Sequence, residues 1–378
     1  KRQNEQIVES VSAEGIGRLP DASIGEAIAR LPGITSQRLN GRANNIAIRG
    51  FGPDFSQTLL NGREQTSTGD NRAVEFDQYP SEIVSQVVVY KSPTADLVGQ
   101  GLVGTVDVRT MRPLENGGRQ ILAVGGRGTM ADLGALNSGS NKYGYRLNGT
   151  YVDQFADDTL GIALSASYVD EPYQLQEFNA WGYNNVGGNA LIGGSKSYVA
   201  STQLQRLGLN GTLQWQPNEN IMLTVDGFYS HFNDDQIKRG IELPLGFFAF
   251  GTQLSPTGQT TSGGQITGGT FTNVEGVVRN DVYQREADLY SVGVNSVYDA
   301  NDGWKFTVDL GFSRTSRNEL SIESYSGTGY GTGVGATDTI AFNSGPSGTS
   351  FADPPDRPAR LGWQPHPGRL LQQPHRRG

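Results

Sequence analysis

Residues 160–168, LGIALSASY, alternate between two kinds of side chain. Every second residue from Leu160 to Tyr168 is apolar, and glycine, alanine and serine fill the positions between them. Successive side chains of a β-strand point to opposite faces, so a period of two predicts a strand with one apolar and one small or polar face. This nine-residue stretch therefore predicts an amphipathic strand.

The same alternation returns along the second part of the chain. With a weaker first segment included, it predicts seven strands, at residues 120–127, 143–151, 160–168, 207–215, 221–229, 290–298 and 304–312. A soluble β-sandwich also alternates, so the period alone does not place these strands in lipid.

The predicted connections alternate in length. Segments 153–158, 217–220 and 299–303 are short, whereas segments 131–141, 171–203 and 232–285 are long and rich in Gly, Ser, Thr and Asn. Tight turns on one rim and long loops on the other are typical of outer-membrane β-barrels. We therefore expect these strands to be antiparallel and to cross a membrane.

Aromatic residues mark both ends of the predicted strands, as the two girdles of a membrane barrel would require. Those beside the short turns are Tyr151, Trp215, Tyr298 and Trp304, and those towards the opposite ends are Tyr143, Tyr168, Tyr229, Tyr290 and Phe312. Polar residues at inward positions fit a wet barrel interior, and they include Arg146, Arg206, Asp226, Lys305 and Asp309.

Composition narrows the classes of function. The 378 residues include 52 glycines and no cysteine, so neither a disulfide framework nor a thiolate metal site is possible. The sequence has no run approaching the roughly 18–20 apolar residues of a transmembrane helix. The formal net charge of −8 argues against nucleic acid as a partner.

The first part of the chain, residues 1–115, has a mixed pattern. Ser23 and Glu26 form a capping box, after which apolar residues recur at helical spacing until Pro32 and Gly33 end the run. Extended runs follow at residues 45–49, 57–60, 86–90 and 104–110, and Asn61-Gly62 predicts a type I′ hairpin turn after the second. We expect a small domain that combines a helix with short strands.

An ordered set of motifs in this region is similar to the plug of TonB-dependent receptors. The motifs are IVESVSAEGIGRLPD at residues 7–21, IGEAIARLPGI at 24–34, NIAIRGFGPDFSQTLLNGRE at 45–64, FDQYPSEIVSQVVVYKSPTAD at 76–96 and GLVGTVDVRTMRP at 101–113. The resemblance implies an α+β plug domain followed by antiparallel transmembrane β-barrel strands. Seven strands cannot enclose a domain of that size, so we expect the barrel to be incomplete and the chain to be a fragment at both ends.

The resemblance also implies a function and partners. A TonB-dependent receptor takes up scarce or bulky nutrients, such as iron chelates, cobalamin or oligosaccharides, across the bacterial outer membrane. Its partners are the TonB energy-transducing complex, the nutrient and outer-membrane lipid. The TonB box that TonB grips is not visible before the first motif, so this copy is expected to lack it.

The resemblance places two plug loops, at residues 50–56 and 65–72, towards the extracellular cavity. Phe51, Asp54, Phe55 and Arg72 are therefore the predicted substrate contacts, although ordinary solvated loop residues remain an alternative. Arg49, Arg63 and Arg109 lie on or beside predicted plug strands. They are candidates for a plug–barrel lock through acidic residues of the barrel wall, but exposed arginines are also common on any small domain.

Two other functions remain open: a passive outer-membrane porin and an outer-membrane β-barrel enzyme. His231 is the one histidine before the C-terminal tail, and the sequence has neither a GxSxG elbow nor a HExxH pair. We predict no catalytic residue, no metal site and no cofactor.

The last 28 residues, 351–378, depart from strand patterning, with six Pro, five Arg and two of the three His. We interpret this Pro/Arg-rich tail as the product of a frameshift near Asp353, and a disordered tail is the alternative. The predicted organisation is thus a plug at 1–115, the first part of a barrel at 116–350 and an anomalous tail at 351–378.

Overall fold

A computed structural model describes residues 7–12, 24–39, 42–92, 95, 97, 101–246, 254–327 and 335–353. The chain divides into two units. The first comprises Lys1–Glu177, Tyr198–Gly240 and Arg279–Ser324, and the second comprises Phe178–Ser197, Ile241–Val278 and Tyr325–Gly378. Ser23 of the predicted capping box and residues 354–378 of the predicted tail lie outside the described residues.

The first unit begins with an N-terminal domain built around a five-stranded sheet. Its strands are β1 Val8–Ser12, β4 Ser56–Leu60, β5 Arg63–Glu64, β6 Val84–Tyr90 and β7 Gly104–Thr110, in the order β1-β6-β7-β4-β5. Only the β4–β7 contact is parallel, and the other neighbours are antiparallel. A separate hairpin pairs β2 Ile34–Leu39 with β3 Arg42–Ile48.

The helix α1 Ile24–Ile28 buries its apolar face in the domain core. Ile24 and Ile28 are fully buried there beside Ile46, Ile48 and Val106, because their helical spacing puts both on one face. The helix is shorter than predicted, since Ala29 and Arg30 already lie in a turn before Gly33, whose φ of 69° reverses the chain. Short 3-10 turns at Pro53–Phe55, Phe76–Gln78, Ser81–Ile83 and Pro113–Asn116 complete the domain.

Seven long antiparallel strands follow and form the wall sheet. They are β8 Ile121–Met130, β9 Tyr143–Phe155, β10 Leu160–Ala180, β13 Gly194–Asn218, β14 Ile221–Pro244, β17 Val277–Asp299 and β18 Lys305–Ile322, and their spatial order follows the chain. All seven predicted strands are therefore confirmed. The short turns are confirmed as well, with Ala156, Asp157 and Asp158 at positive φ in the first of them.

The wall sheet exposes one continuous apolar face. Cross-strand pairs such as Val292–Phe312, Val294–Leu310 and Tyr298–Phe306 lie on it, and Leu310 is 66% exposed. Soluble proteins rarely expose apolar patches of this kind, whereas a lipid-facing sheet requires one. Among the described residues, no helix is long and apolar enough to cross a membrane.

Two of the predicted long loops, 171–203 and 232–285, are largely strand. The strands β10, β13, β14 and β17 continue into them, and β11 Tyr183–Val186, β12 Asn189–Ile192, β15 Thr257–Ser262 and β16 Gln265–Val274 lie within them. The prediction of loops was wrong there because strands were predicted only where apolar residues alternate. Strands are held by backbone hydrogen bonds, which polar Gly/Ser/Thr segments also form.

The second unit has its own sheet and core. The two-residue strand β19 Tyr325–Ser326 precedes the last two strands, β20 Asp338–Gly345 and β21 Gly348–Ala352, along the chain. The sheet has the order β11-β12-β16-β20-β21, with β15 also paired to β16. Leu191, Leu245 and Phe271 are fully buried in its apolar cluster. Strand pairing reaches Ala352, two residues into the segment interpreted as an anomalous tail.

Candidate functional site

The β4–β5 hairpin points its turn at the wall sheet. Leu60 and Arg63 are paired, and the two residues between them, Asn61 and Gly62, have φ of 52° and 83°. Positive φ at both positions is the signature of a type I′ turn, so the predicted hairpin is confirmed. The tight turn places Arg63 directly beside the wall.

Arg63 binds two carboxylates from two different wall strands. Its Nη1 donates to both oxygens of Asp226 on β14, at 2.9 and 2.7 Å. Its Nε and Nη2 donate to Asp309 on β18, at 2.7 and 3.0 Å. Asn61 donates a further hydrogen bond to Asp226 at 3.0 Å. Burial would lower the pKa of Arg63, but its hydrogen bonds to Asp309 and Asp226 outweigh that and raise it.

Two glycines of the wall make room for this side chain. Gly293 on β17 and Gly311 on β18 are direct cross-strand partners. A Cβ at Gly311 would lie 2.6 Å from Cδ of Arg63, and a Cβ at Gly293 would overlap its guanidinium group. We call this pair the glycine notch, because any side chain there would displace Arg63.

A second ionic contact lies at the start of β3. Arg42 Nη2 donates to Asp234 Oδ2 on β14 at 2.6 Å, and Arg285 Nη2 on β17 lies 3.6 Å from the same oxygen. Both guanidinium groups stack on Phe232, at 5.8 and 4.8 Å, and Arg42 also stacks on Tyr173 at 4.9 Å. All three charged side chains are at least 95% buried.

Polar and aromatic contacts also join the N-terminal domain to the wall sheet. Ser230 donates to the carbonyl of Gln78 at 2.9 Å, and Tyr79 stacks on Phe228 with ring centroids 5.2 Å apart. Burial raises the pKa of the Tyr79 phenol. The N-terminal domain is therefore fixed to the inward face of the wall by charged, polar and apolar contacts together.

A comparison with family models identifies this first domain. Residues 1–106 match the model described as TonB-dependent Receptor Plug Domain. This N-terminal domain is therefore a plug domain of the TonB-dependent receptor type. As the sequence predicted, an α+β plug domain is followed by long antiparallel strands.

Several solved structures are similar to this chain. They include the ferric enterobactin receptor PfeA from Pseudomonas aeruginosa, with 12% identity over 91% of this chain and 63% of that chain and a TM-score of 0.44. The siderophore receptor PirA from Pseudomonas aeruginosa matches at 15% identity over 91% and 66%, with a TM-score of 0.36. The hemophore receptor HasR from Serratia marcescens matches at 12% over 90% and 61%, with a TM-score of 0.38. The chain thus spans less than two thirds of the length of these structures.

Of the three predicted lock arginines, Arg63 lies against the wall sheet. Arg109 instead donates to Asp107 at 2.7 Å and to Tyr90 at 2.8 Å, and both partners belong to the plug. Arg109 therefore does not take the predicted position against the wall. Arg109 and Asp107 lie on the same face of β7, so the arginine side chain points along the plug sheet towards Asp107. Arg49 is exposed, with a φ of 56° just beyond β3.

The predicted substrate contacts lie on exposed loops of the plug domain. Phe51 and Phe55 are each 49% exposed and meet edge to face, with centroids 5.9 Å apart. Asp54 between them is exposed, and Arg72 is exposed and donates to Gln57 at 3.5 Å. The two phenylalanines thus form one small aromatic surface, and their role remains a prediction.

The sequence did not predict that Arg42 contacts the wall, nor that Asp226 and Asp309 bind the same arginine. Asp226 and Asp309 carried the right signal, a carboxylate at an inward strand position, but nothing in the sequence links them to one arginine. Arg42 was missed because the strand was predicted to begin at residue 45. In the described part of the chain, no group of three or more His, Cys, Asp or Glu is placed to hold a metal ion.

Proposed function

We propose that this receptor takes up a scarce or bulky nutrient across the bacterial outer membrane in a step driven by TonB. The match of residues 1–106 to the plug family supports the proposal. Iron chelates, cobalamin and oligosaccharides are the substrate classes that we carry forward, and the TonB energy-transducing complex is the partner.

The ionic contacts of the plug explain why passage would need work. Arg63 is 92% buried between Asp226 and Asp309, and Arg42 is 95% buried against Asp234. Separating buried ion pairs costs several kcal/mol because each charge loses its partner in a poorly hydrated place. Thermal motion would break them rarely, so an external pull on the plug fits the arrangement better than free diffusion.

We further propose that Phe51, Asp54, Phe55 and Arg72 contact the nutrient. Exposed aromatic side chains on a small domain contribute most to recognition when they lie together, since a ligand can then cover both at once. The neighbouring carboxylate and guanidinium would add polar contacts that orient the ligand.

Uptake by cells that express the full-length protein tests the proposed function. The assay measures accumulation of radiolabelled iron chelates, cobalamin and oligosaccharides, with and without a protonophore and in a strain lacking TonB. We expect accumulation of one class, lost under both conditions. Accumulation that persists without TonB would overturn the proposal.

Planar-bilayer conductance separates this function from a passive porin. A plugged receptor should show almost no steady conductance, whereas a porin conducts openly. The plug family match does not favour the porin, and it does not favour the β-barrel enzyme either.

A further inference from the structure

The Phe76–Gln78 turn of the plug places a buried aspartate beside the second ionic contact. Asp77 is 3% exposed, and its turn packs against β3, the strand that begins at Arg42. Arg206 on β13 holds the turn through the main-chain carbonyl of Asp77. Neither carboxylate oxygen of Asp77 has a hydrogen-bond partner among the described residues. Because a buried carboxylate without a donor is costly, Asp77 is poorly stabilised in this arrangement.

Unused donors of the same cluster match these unused acceptors. Nε and Nη1 of Arg42 and Nε and Nη2 of Arg285 are buried and have no hydrogen-bond partner in the described part of the chain. Oδ1 of Asp234 is buried without a donor as well. Burial would lower the pKa of Arg42, but the charges of Asp234 and then Asp77 attract it and raise that pKa. Opposite charges therefore lie near each other in this cluster without being hydrogen-bonded.

The plug and the wall each contribute one arginine and one aspartate to these four residues. Arg42 and Asp77 belong to the plug. Arg285 and Asp234 belong to the wall strands β17 and β14. The short contact crosses between the two, from Arg42 to Asp234 at 2.6 Å, whereas Arg285 lies 3.6 Å from the same carboxylate. If the plug moved away from the wall, each separated surface would keep one arginine and one aspartate, and could neutralise its own charge.

Arg63 differs from Arg42, because both carboxylates that it binds belong to the wall. Separation of the plug would take Asp226 and Asp309 away from it together. Asp107 of the plug accepts a hydrogen bond from the turn beside Arg63, but it is already paired with Arg109 at 2.7 Å. The contact of Arg63 is therefore the costlier one to break, and the contact of Arg42 is the one that has a replacement partner.

We infer that Asp77 receives Arg42 when the plug leaves the wall, so that Arg42 exchanges a wall carboxylate for a plug carboxylate during transport. The inference rests on the proposed function, since it describes the step in which the plug moves. The exchange lowers the cost of release because neither Arg42 nor Asp77 is left as a buried charge without a partner. Asp234 keeps Arg285 as its counter-charge on the wall.

Extraction of the plug at constant force tests the exchange. Optical tweezers pull on the N-terminus of the full-length protein in a nanodisc, and the dwell time before the plug leaves the wall is measured. Asp77→Asn should lengthen this dwell time about tenfold, because Arg42 then has no charged partner in the released plug. Arg42→Gln should shorten it, because the contact with Asp234 is lost. A merely structural role of Asp77 predicts the opposite sign for Asp77→Asn, a looser plug with a shorter dwell time.

The double variant separates the exchange from any other effect of Asp77. Without Arg42 no guanidinium group is transferred, so Arg42→Gln combined with Asp77→Asn should match Arg42→Gln alone. Glu115→Gln, at an exposed position of the plug, is the matched control and should keep the wild-type dwell time. A dwell time of Asp77→Asn that equals or falls below the wild-type value would overturn the inference. The same lengthening in the absence of Arg42 would overturn it too.

A second measurement does not depend on the folding of Asp77→Asn. In Asp234→Asn the wall partner of Arg42 is neutral while Asp77 keeps its charge. A structure of this full-length variant should show the guanidinium group of Arg42 hydrogen-bonded to the carboxylate of Asp77. An Arg42 side chain that stays against the wall would contradict the exchange.

The outcome is separable from the proposed function. Extraction by tweezers needs no energised membrane, whereas uptake does. TonB-dependent uptake together with a wild-type dwell time in Asp77→Asn would remove the exchange and leave the transport function intact. The expected dwell times in a protein whose uptake ignores TonB would do the reverse.

Discussion

Arg63 joins one plug hairpin to two wall strands through four hydrogen bonds. Asp226 is 7% exposed and Asp309 is 38% exposed, so the first pair is the more strongly desolvated. A guanidinium group suits this position because its planar fork serves two carboxylates at once, which a lysine ammonium cannot do with the same geometry.

We predict that Arg63→Gln loosens the plug. The substitution leaves the buried carboxylate of Asp226 without its partner, a loss of about 3–5 kcal/mol for a fully buried pair and less for the exposed half of the contact. Thermal unfolding in detergent should begin at a lower temperature, and limited proteolysis should cleave the plug faster. Arg49→Gln, at an exposed position, is the control and should leave both readouts unchanged. Identical melting and proteolysis of the two variants would contradict the role given to Arg63.

At the scale of elements, β17 and β18 together form the glycine notch. Their register puts Gly293 opposite Gly311, so the glycine notch spans both strands rather than one. Glycine weakens a strand interior, and its presence here is explained by the close approach of another group. The hairpin β4–β5 supplies that group.

We predict that Gly311→Ala displaces Arg63 as effectively as mutating the arginine itself. The new methyl group would lie 2.6 Å from Cδ of Arg63, closer than atoms can pack, so the side chain must leave the notch. Plug proteolysis should rise as it does in Arg63→Gln, and the double variant should show no further increase, since both changes remove one contact. Gly227→Ala on β14 is the matched control, because its Cβ would be 4.0 Å from the nearest atom, the carbonyl oxygen of Ser291. Additive effects in the double variant would show that Gly311→Ala does not act by displacing Arg63, and would contradict the prediction.

At the scale of the whole molecule, the plug contains nearly all of its own core. Its apolar cluster consists of plug residues, with Phe228 and Leu289 as the two buried contributions from the wall. A domain whose core comes from its own chain can fold without its neighbours.

We predict that residues 1–115 fold alone in water. The isolated plug should melt cooperatively and give dispersed amide NMR signals, with a stability reduced by the loss of the Tyr79–Phe228 stack. Val106→Asp places a charge at a fully buried position and provides the unfolded reference. If the wild-type plug gives the same collapsed spectrum as this variant, then the wall is required for folding and the boundary at 115 is wrong.

The sequence determined the features that depend on near neighbours. A period of two located all seven wall strands, and Asn61-Gly62 located the hairpin turn, because strand faces and turn conformations are set within a few residues. It found the helix but not its end, and it missed β1 and β2, whose sequences VESVS and ITSQRL are mostly polar and lack the apolar runs from which strands were predicted.

Only the tertiary structure decided which charges meet. Arg63 lies 163 residues from Asp226 and 246 residues from Asp309, and such pairs depend on sheet register, domain orientation and the two glycines that leave room. Arg49, Arg63 and Arg109 all belong to the plug and looked alike in the sequence, yet one meets the wall, one meets its own sheet and one is exposed. Coulomb attraction acts over a few ångströms in space, and the sequence specifies those distances only through the complete fold.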